Sequence, residues 1–359
     1  MVEKLAINYS LLFYAKTPMI PLTDTSWQTQ SWQQLLKSAI TEPIHLARIL
    51  GIELETELDI AAADAIAFPL LVPWPYLARI KRGDRQDPLL LQVLPQAAET
   101  LTVPGYELDP LQELTQSPVP GLIQKYHGRV LVVATGACGI NCRYCFRRHF
   151  PYADFQPDQA DWDRIIESVS ADTSVEEVIL SGGDPLLLND RQLAKIAERL
   201  SQIPHVRTLR LHTRLPIVIP QRIDSALLAW VNACDLNIVM VVHSNHANEI
   251  DPLVTDAMTK LRSAGVTLLN QSVLLRGVND RVEDLVALSR ALFQAGVLPY
   301  YLHVLDPVAG AAHFDLPEIQ AQALMAGVAK LLPGYLVPKL AREIPGEASK
   351  TQLAFPAMA

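Results

Sequence analysis

The chain has 359 residues, half of them apolar and 19% charged, with a formal net charge of −8. That balance gives a compact globular protein with one large core or two ordinary ones, excludes a disordered chain, and argues against nucleic-acid binding, whose surfaces carry a basic excess. Only four cysteines occur, three of them between positions 138 and 145, which excludes a disulfide framework and fits a reducing compartment, so the expected location is cytoplasmic.

Residues 1–115 carry helical spacing in WQQLLKSAI and IHLARILGI, then Pro-rich connections and no strand rhythm, so a helical and irregular N-terminal region is predicted. Apolar residues after Lys4 are interrupted by Asn8, Tyr9 and Lys16 with no small-residue cleavage site behind them, and no secretory leader is expected. The apolar stretch from Ile60 to Ala78 contains Asp64, Pro69, Pro73 and Pro75. In lipid these would leave a charge and broken backbone unsatisfied, so no membrane span is expected and the stretch reads as a helix followed by an irregular connection.

From Arg129 the pattern changes. RVLVVA, EEVILS, VRTLRLH, LNIVMVVH, VTLLNQSVLL and PYYLHVL alternate with amphipathic stretches such as RQLAKIAERL and VEDLVALSRALF. Nearly continuous apolar strands separated by helices mean a parallel sheet covered on both faces. About six β/α units, two fewer than a closed TIM barrel, predict an open partial barrel over 116–340, with a doubly wound sheet as the alternative and 341–359 as a C-terminal segment. In either fold, ligands sit at the C-terminal ends of the strands. There the sequence sets the cysteine loop, Ser181–Gly182–Gly183–Asp184, His212, His243, Gln271 and Asp306.

The loop itself reads ACGINCRYCFRRHF, with Cys138, Cys142 and Cys145 in C-x3-C-x2-C spacing. A four-iron, four-sulfur cluster takes four ligands, so three thiolates would leave one iron open to something other than protein. The competing reading is a zinc knot in which His149 completes a Cys₃His set. Tyr144 and Phe146 would shield a cluster from water and tune its potential, or simply anchor the loop. Cys234 opens an apolar run and reads as a buried small hydrophobe.

CGINCRYCFRRHF followed by a strand into SGGDPL, on about six β/α units, resembles the radical S-adenosylmethionine (SAM) superfamily. KYHGRVLVV, TRLPIVIPQRI, NQSVLLRGVND, HVLDPVAGAAHF and PGEASK, with DPLLLQVLP and PGYELDPLQE upstream, resemble the lysine 2,3-aminomutases. Within that family they look most like the bacterial branch serving β-lysylation of elongation factor P. The resemblance implies a 4Fe-4S cluster on Cys138, Cys142 and Cys145, whose open iron is chelated by SAM. Gly182, Gly183 and Asp184 would lie against its methionine end, and His243 and Gln271 against its nucleoside.

Lys350, alone a solvated charge near the C-terminus, matches the family lysine joined covalently to pyridoxal 5′-phosphate (PLP). That role needs a partly desolvated, cation-rich pocket. Lys125, Tyr126 and Arg129 match the PLP-phosphate cradle. Arg147 matches the arginine that forks onto the substrate carboxylate, and Asp306 and Glu343 match the acidic pair at the ε-ammonium of L-lysine.

The implied reaction begins with an electron from a reducing donor, splits SAM, takes a hydrogen from the β-carbon of lysine, and moves nitrogen from Cα to Cβ. The product would be β-lysine for elongation factor P and its lysyl-transferring enzyme. Alternatives are an aminomutase for another amino acid, such as glutamate, which an acidic pair would repel, and a zinc-stabilised binding protein without the radical reaction.

The chain departs from the catabolic aminomutases in four ways: GEAS in place of a glycine run, Glu343 for aspartate, Lys125 for arginine, and no cysteine beyond Cys234 to bind zinc. They point to a slow, biosynthetic enzyme.

Overall fold

The computed structural model describes residues 26–53, 68–113, 119, 121–152 and 157–355. Seven parallel strands form its frame: β2 (Arg129–Thr135), β3 (Glu177–Gly182), β4 (Thr208–Thr213), β5 (Asn237–His243), β6 (Thr267–Val273), β7 (Leu298–His303) and β8 (Lys339–Arg342). Strand β1 (Leu122–Tyr126) lies antiparallel on β2, and β9 (Thr351–Gln352) antiparallel on β8. Spatial order follows chain order from β1 to β9, and the two end strands do not pair. The sheet is therefore an open partial barrel, as the repeated β/α pattern predicts. Six of the parallel strands are those read from sequence. The seventh, KLAR, buries only Leu340 and Ala341 between two charged ends, too little to register as an apolar run.

The pleat sorts side chains between the two faces. In β4, Leu209 and Leu211 are buried toward the helical layer, while Arg210 and His212 face inward to a cavity. The same alternation turns Arg129 and Leu131, Ile179 and Ser181, Gln271 and Val273, and Tyr301 and His303 into that cavity.

Helices Gln159–Ala171, Asp190–Ser201, Ser225–Ala233 and Pro252–Ser263 cover the outside. Each begins at an Asp or Asn whose side chain caps a free N–H of the first turn: Asp158, Asn189, Asp224 and Asp251. Helices Val282–Gln294 and Glu318–Leu331 complete the layer.

In the N-terminal region, Trp32–Lys37 is nucleated by a Ser31/Gln34 capping box, and Pro43–Leu50 ends at Gly51 with φ of +66°. Trp27, Trp32, Leu46, Trp74 and Leu77 belong to the same buried cluster as Val130, Leu180 and Leu211, so this region packs into the barrel core. The readings on residues 1–25 and on 60–67 fall outside the described residues. Among the described residues no helix is long and apolar enough to cross a membrane.

Candidate active site

A cavity of about 350 Å³ opens inside the partial barrel. All fifteen residues singled out from sequence as site candidates line it. The three cysteines lie along its wall together with Gly182, Gly183, Asp184 and Arg147, while Lys125, Tyr126, Arg129, Asp306, Glu343 and Lys350 form an electrostatically linked group. His243 and Gln271 also line the cavity.

The cysteine loop is wound tightly, Cys145 N donating to Cys142 O at 3.0 Å and Arg148 N to Cys145 O at 3.1 Å. Its arginines anchor it. Arg143, fully buried, forks onto Glu99 with Nε 2.9 Å from Oε1, and Arg148 Nη2 reaches the same carboxylate at 2.6 Å. Burial pushes the Cys138 and Cys145 thiols up, Cys145 to about 11, and the neighbouring sulfurs add to the effect. Such a donor set ionises together only around positive charge, which suits an iron–sulfur cluster.

A single zinc fits poorly: His149 is exposed with Nε2 3.0 Å from Ala309 O, and among the described residues no three His, Cys, Asp or Glu side chains converge on one ion. Three thiols around a multi-iron cluster need not converge that way. Cys234 is free and half-buried against the main core.

Gly182 and Gly183 serve the loop's packing. A Cβ on Gly183 would sit 2.1 Å from Ala137 O, and one on Gly182, where φ is +116°, 2.5 Å from Thr135 O. The close approach that demands glycine is thus to the root of the cysteine loop. Asp184 is buried and accepts from Thr213 Oγ1 at 2.6 Å and from the backbone N–H groups of Leu186, Arg214 and Leu215 at 3.1, 2.8 and 2.9 Å. It thereby ties β3 to the end of β4.

In the charged group, Glu343 is the hub. Its Oε1 lies 2.7 Å from Lys125 Nζ and its Oε2 2.5 Å from Lys350 Nζ. Burial alone would raise its carboxyl, but the two ammoniums hold it down at about 2. Among the described residues Asp306 has no ion-pair partner within 4 Å; burial, then the charge of Glu343, pushes its carboxyl up to about 7. Arg129 stacks its guanidinium 4.8 Å from the Tyr126 ring centroid. Lys125 and Glu343 also join the two open ends of the sheet, β1 and the segment after β8, which backbone pairing leaves apart.

Arg147 is buried, and its Nε and Nη2 grip Glu113 at 2.6 and 2.9 Å, while Nη1 donates to Ser181 Oγ at 3.1 Å. Glu113 also accepts from Lys125 at 3.0 Å. Sequence reasoning missed Glu113, which sits in PGYELDPLQE and reads there as an ordinary surface acid. Three histidines line the cavity, His212, His243 and His303, and burial keeps all three neutral, the last two at about 3. Gln271 Nε2 lies 2.8 Å from His243 Nε2, across the register that pairs these residues on β5 and β6. Among the described residues His212 Nε2, which is buried, has no hydrogen-bond partner.

An open parallel sheet whose first loop holds three thiols in one cavity defines a radical SAM protein, and the model of the Radical SAM superfamily matches residues 132–239. The chain is 50% identical over 324 residues to the L-lysine 2,3-aminomutase of Escherichia coli K12, covering 90% of this chain and 94% of the relative. It is 46% identical over 336 residues to that of Haemophilus influenzae, covering 94% and 99%. To the L-lysine 2,3-aminomutase of Clostridium subterminale it is 35% identical over 339 residues, covering 92% and 79%. The chain belongs to the lysine 2,3-aminomutase family. It is accordingly a radical SAM isomerase that uses a 4Fe-4S cluster and SAM.

Proposed function

We propose that this protein converts L-lysine to β-lysine by 2,3-amino migration and supplies β-lysine for modification of elongation factor P by its lysyl-transferring enzyme. The observation that carries the reading is one cavity lined by three thiols and by Lys350 set among two acids. When bound, the cluster, SAM and PLP supply a carbon-centred radical and a π system across which nitrogen moves.

The residues of this chain bind, orient and exclude water. Cys138, Cys142 and Cys145 hold three irons. Gly182, Gly183, Asp184, His243 and Gln271 shape the wall against SAM, Asp184 by fixing the turn rather than by a free carboxylate. Lys350 carries PLP, and Lys125, Tyr126 and Arg129 hold its phosphate.

Arg147 receives the substrate carboxylate through Nη1, or through its full fork once Glu113 turns away. Asp306 and Glu343 take the ε-ammonium. The cation offsets the burial, and then the charge of Glu343, that otherwise keep Asp306 protonated to about 7. An acidic substrate side chain would meet Glu343 already ionised, which argues against glutamate. His303, kept neutral by burial near Glu343, adds no positive charge at that end. A reducing electron donor and a cytoplasmic setting complete the reading, and the altered pocket fits a slow biosynthetic role.

Anaerobically reconstituted protein with reductant, SAM and PLP, offered L-lysine or L-glutamate, tests it by amino-acid analysis. β-Lysine from lysine and nothing from glutamate is expected; β-glutamate would overturn the substrate assignment.

A further inference from the structure

We infer that Arg214 and Glu249 form an opposed charge pair that sets the reduction potential of the metal centre through the sulfur of Cys142. Arg214 follows β4 and is buried. Its Nη1 lies 2.6 Å from Cys142 Sγ and 2.6 Å from Tyr144 Oη, so a fixed positive charge rests directly on one ligand sulfur. Its Nη2 donates to Gln92 Oε1 at 2.7 Å and to Glu249 Oε2 at 3.0 Å. Glu249 is fully buried and held from behind, Oε1 accepting from the backbone N–H groups of Asn245 and His246 at 2.8 and 3.0 Å. Neither charge can swing away.

The Arg214 guanidinium carries its positive charge at any working pH. The inference rests on the reading that the cysteine trio holds a cluster.

Reduction adds negative charge at the cluster, so a cation in contact with a ligand sulfur favours the reduced form, and hydrogen bonds to the sulfurs act in the same direction. Coulomb energy falls with distance, and low dielectric enlarges it. The guanidinium touches the sulfur and Glu249 stands on its far side, so the cation dominates. Glu249 offsets part of its effect, holding the centre low enough in potential to pass an electron to a sulfonium. Arg214 is a positioning and tuning residue, not a catalytic one. Simple structural support would give both residues the same kind of defect, whereas charge tuning gives them opposite signs.

The test is an anaerobic redox titration, followed by electron paramagnetic resonance, of the full-length reconstituted wild type, Arg214→Gln and Glu249→Gln. Iron and sulfide per chain are measured on each. The expected result is a midpoint below wild type for Arg214→Gln and above wild type for Glu249→Gln at equal cluster content. Midpoints that do not move, or that move in the same direction, overturn the inference with the cluster assignment intact. A wild type that takes up no iron and sulfide overturns both. Should Arg214→Gln fail to assemble, Glu249→Gln decides alone, because only a raised midpoint is compatible with an anion acting through the guanidinium.

Discussion

Arg147 and Glu113 form a buried bidentate pair at the cavity wall, with Nε to Oε2 at 2.6 Å and Nη2 to Oε1 at 2.9 Å. The arginine assigned to a substrate carboxylate thus already holds one of the protein's own. Breaking a buried pair from one side costs about 3 kcal/mol, so Glu113→Gln is expected to lower the melting temperature of the ligand-free protein. L-Lysine should then raise that temperature more in the variant than in wild type, because its carboxylate meets an unpaired guanidinium. Equal shifts in thermal denaturation would remove Arg147 from the carboxylate site.

Asp306 gives a pH signature. In the ligand-free protein its carboxyl holds a proton up to about 7, whereas an unfolded aspartate loses it near about 3.9. The folded state binds this proton more tightly, so the contribution to stability is full below about 3.9 and is lost as pH rises toward 7. Lysine binding runs the other way, since its ammonium needs the ionised acid, and affinity falls as pH drops through about 7. Calorimetric titration with L-lysine at roughly pH 6 and 8 should show this difference, and Asp306→Asn should abolish it while weakening binding.

Lys350 and Glu343 separate cofactor from substrate functions. Borohydride treatment of the PLP-loaded protein should fix the cofactor on the peptide containing Lys350, and Lys350→Ala should leave nothing to fix; label on another lysine would move the attachment site. Glu343→Gln leaves Lys125 and Lys350 without the carboxylate that joins them. Lysine affinity is expected to fall by at least tenfold, about 1.4 kcal/mol, with PLP attachment retained.

Gly183→Ala tests the link between the glycine turn and the thiol loop. The new Cβ would meet Ala137 O at 2.1 Å, and overpacking of this kind costs about 1–3 kcal/mol. Displacement of the loop should appear as lowered iron and sulfide per chain, with PLP binding unaffected. Full cluster loading would show that the turn and loop are mechanically independent.

Most of the barrel was legible because parallel strands buried on both faces leave long apolar runs, as in LNIVMVVH. Strand β8 was missed because KLAR is short and charged at both ends, and its pairing comes from β7 rather than from its own composition. Cysteine spacing and the glycine turn announced themselves locally. Glu113 and Arg214 did not: each acts on residues far away in sequence, Arg147 and Cys142, and no periodicity links them. The purpose of Gly182 and Gly183 was also hidden, since only the folded chain shows the Thr135–Ala137 backbone lying against them.

The central claim is that nitrogen moves from Cα to Cβ of lysine in this cavity. Anaerobically reconstituted, reduced protein supplied with SAM, PLP and L-lysine carrying ¹⁵N only on the α-amino group tests it by nuclear magnetic resonance of the product. β-Lysine with ¹⁵N bonded to C3 is the predicted result. Formation of 5′-deoxyadenosine with the ¹⁵N still on C2 and no β-lysine would contradict it.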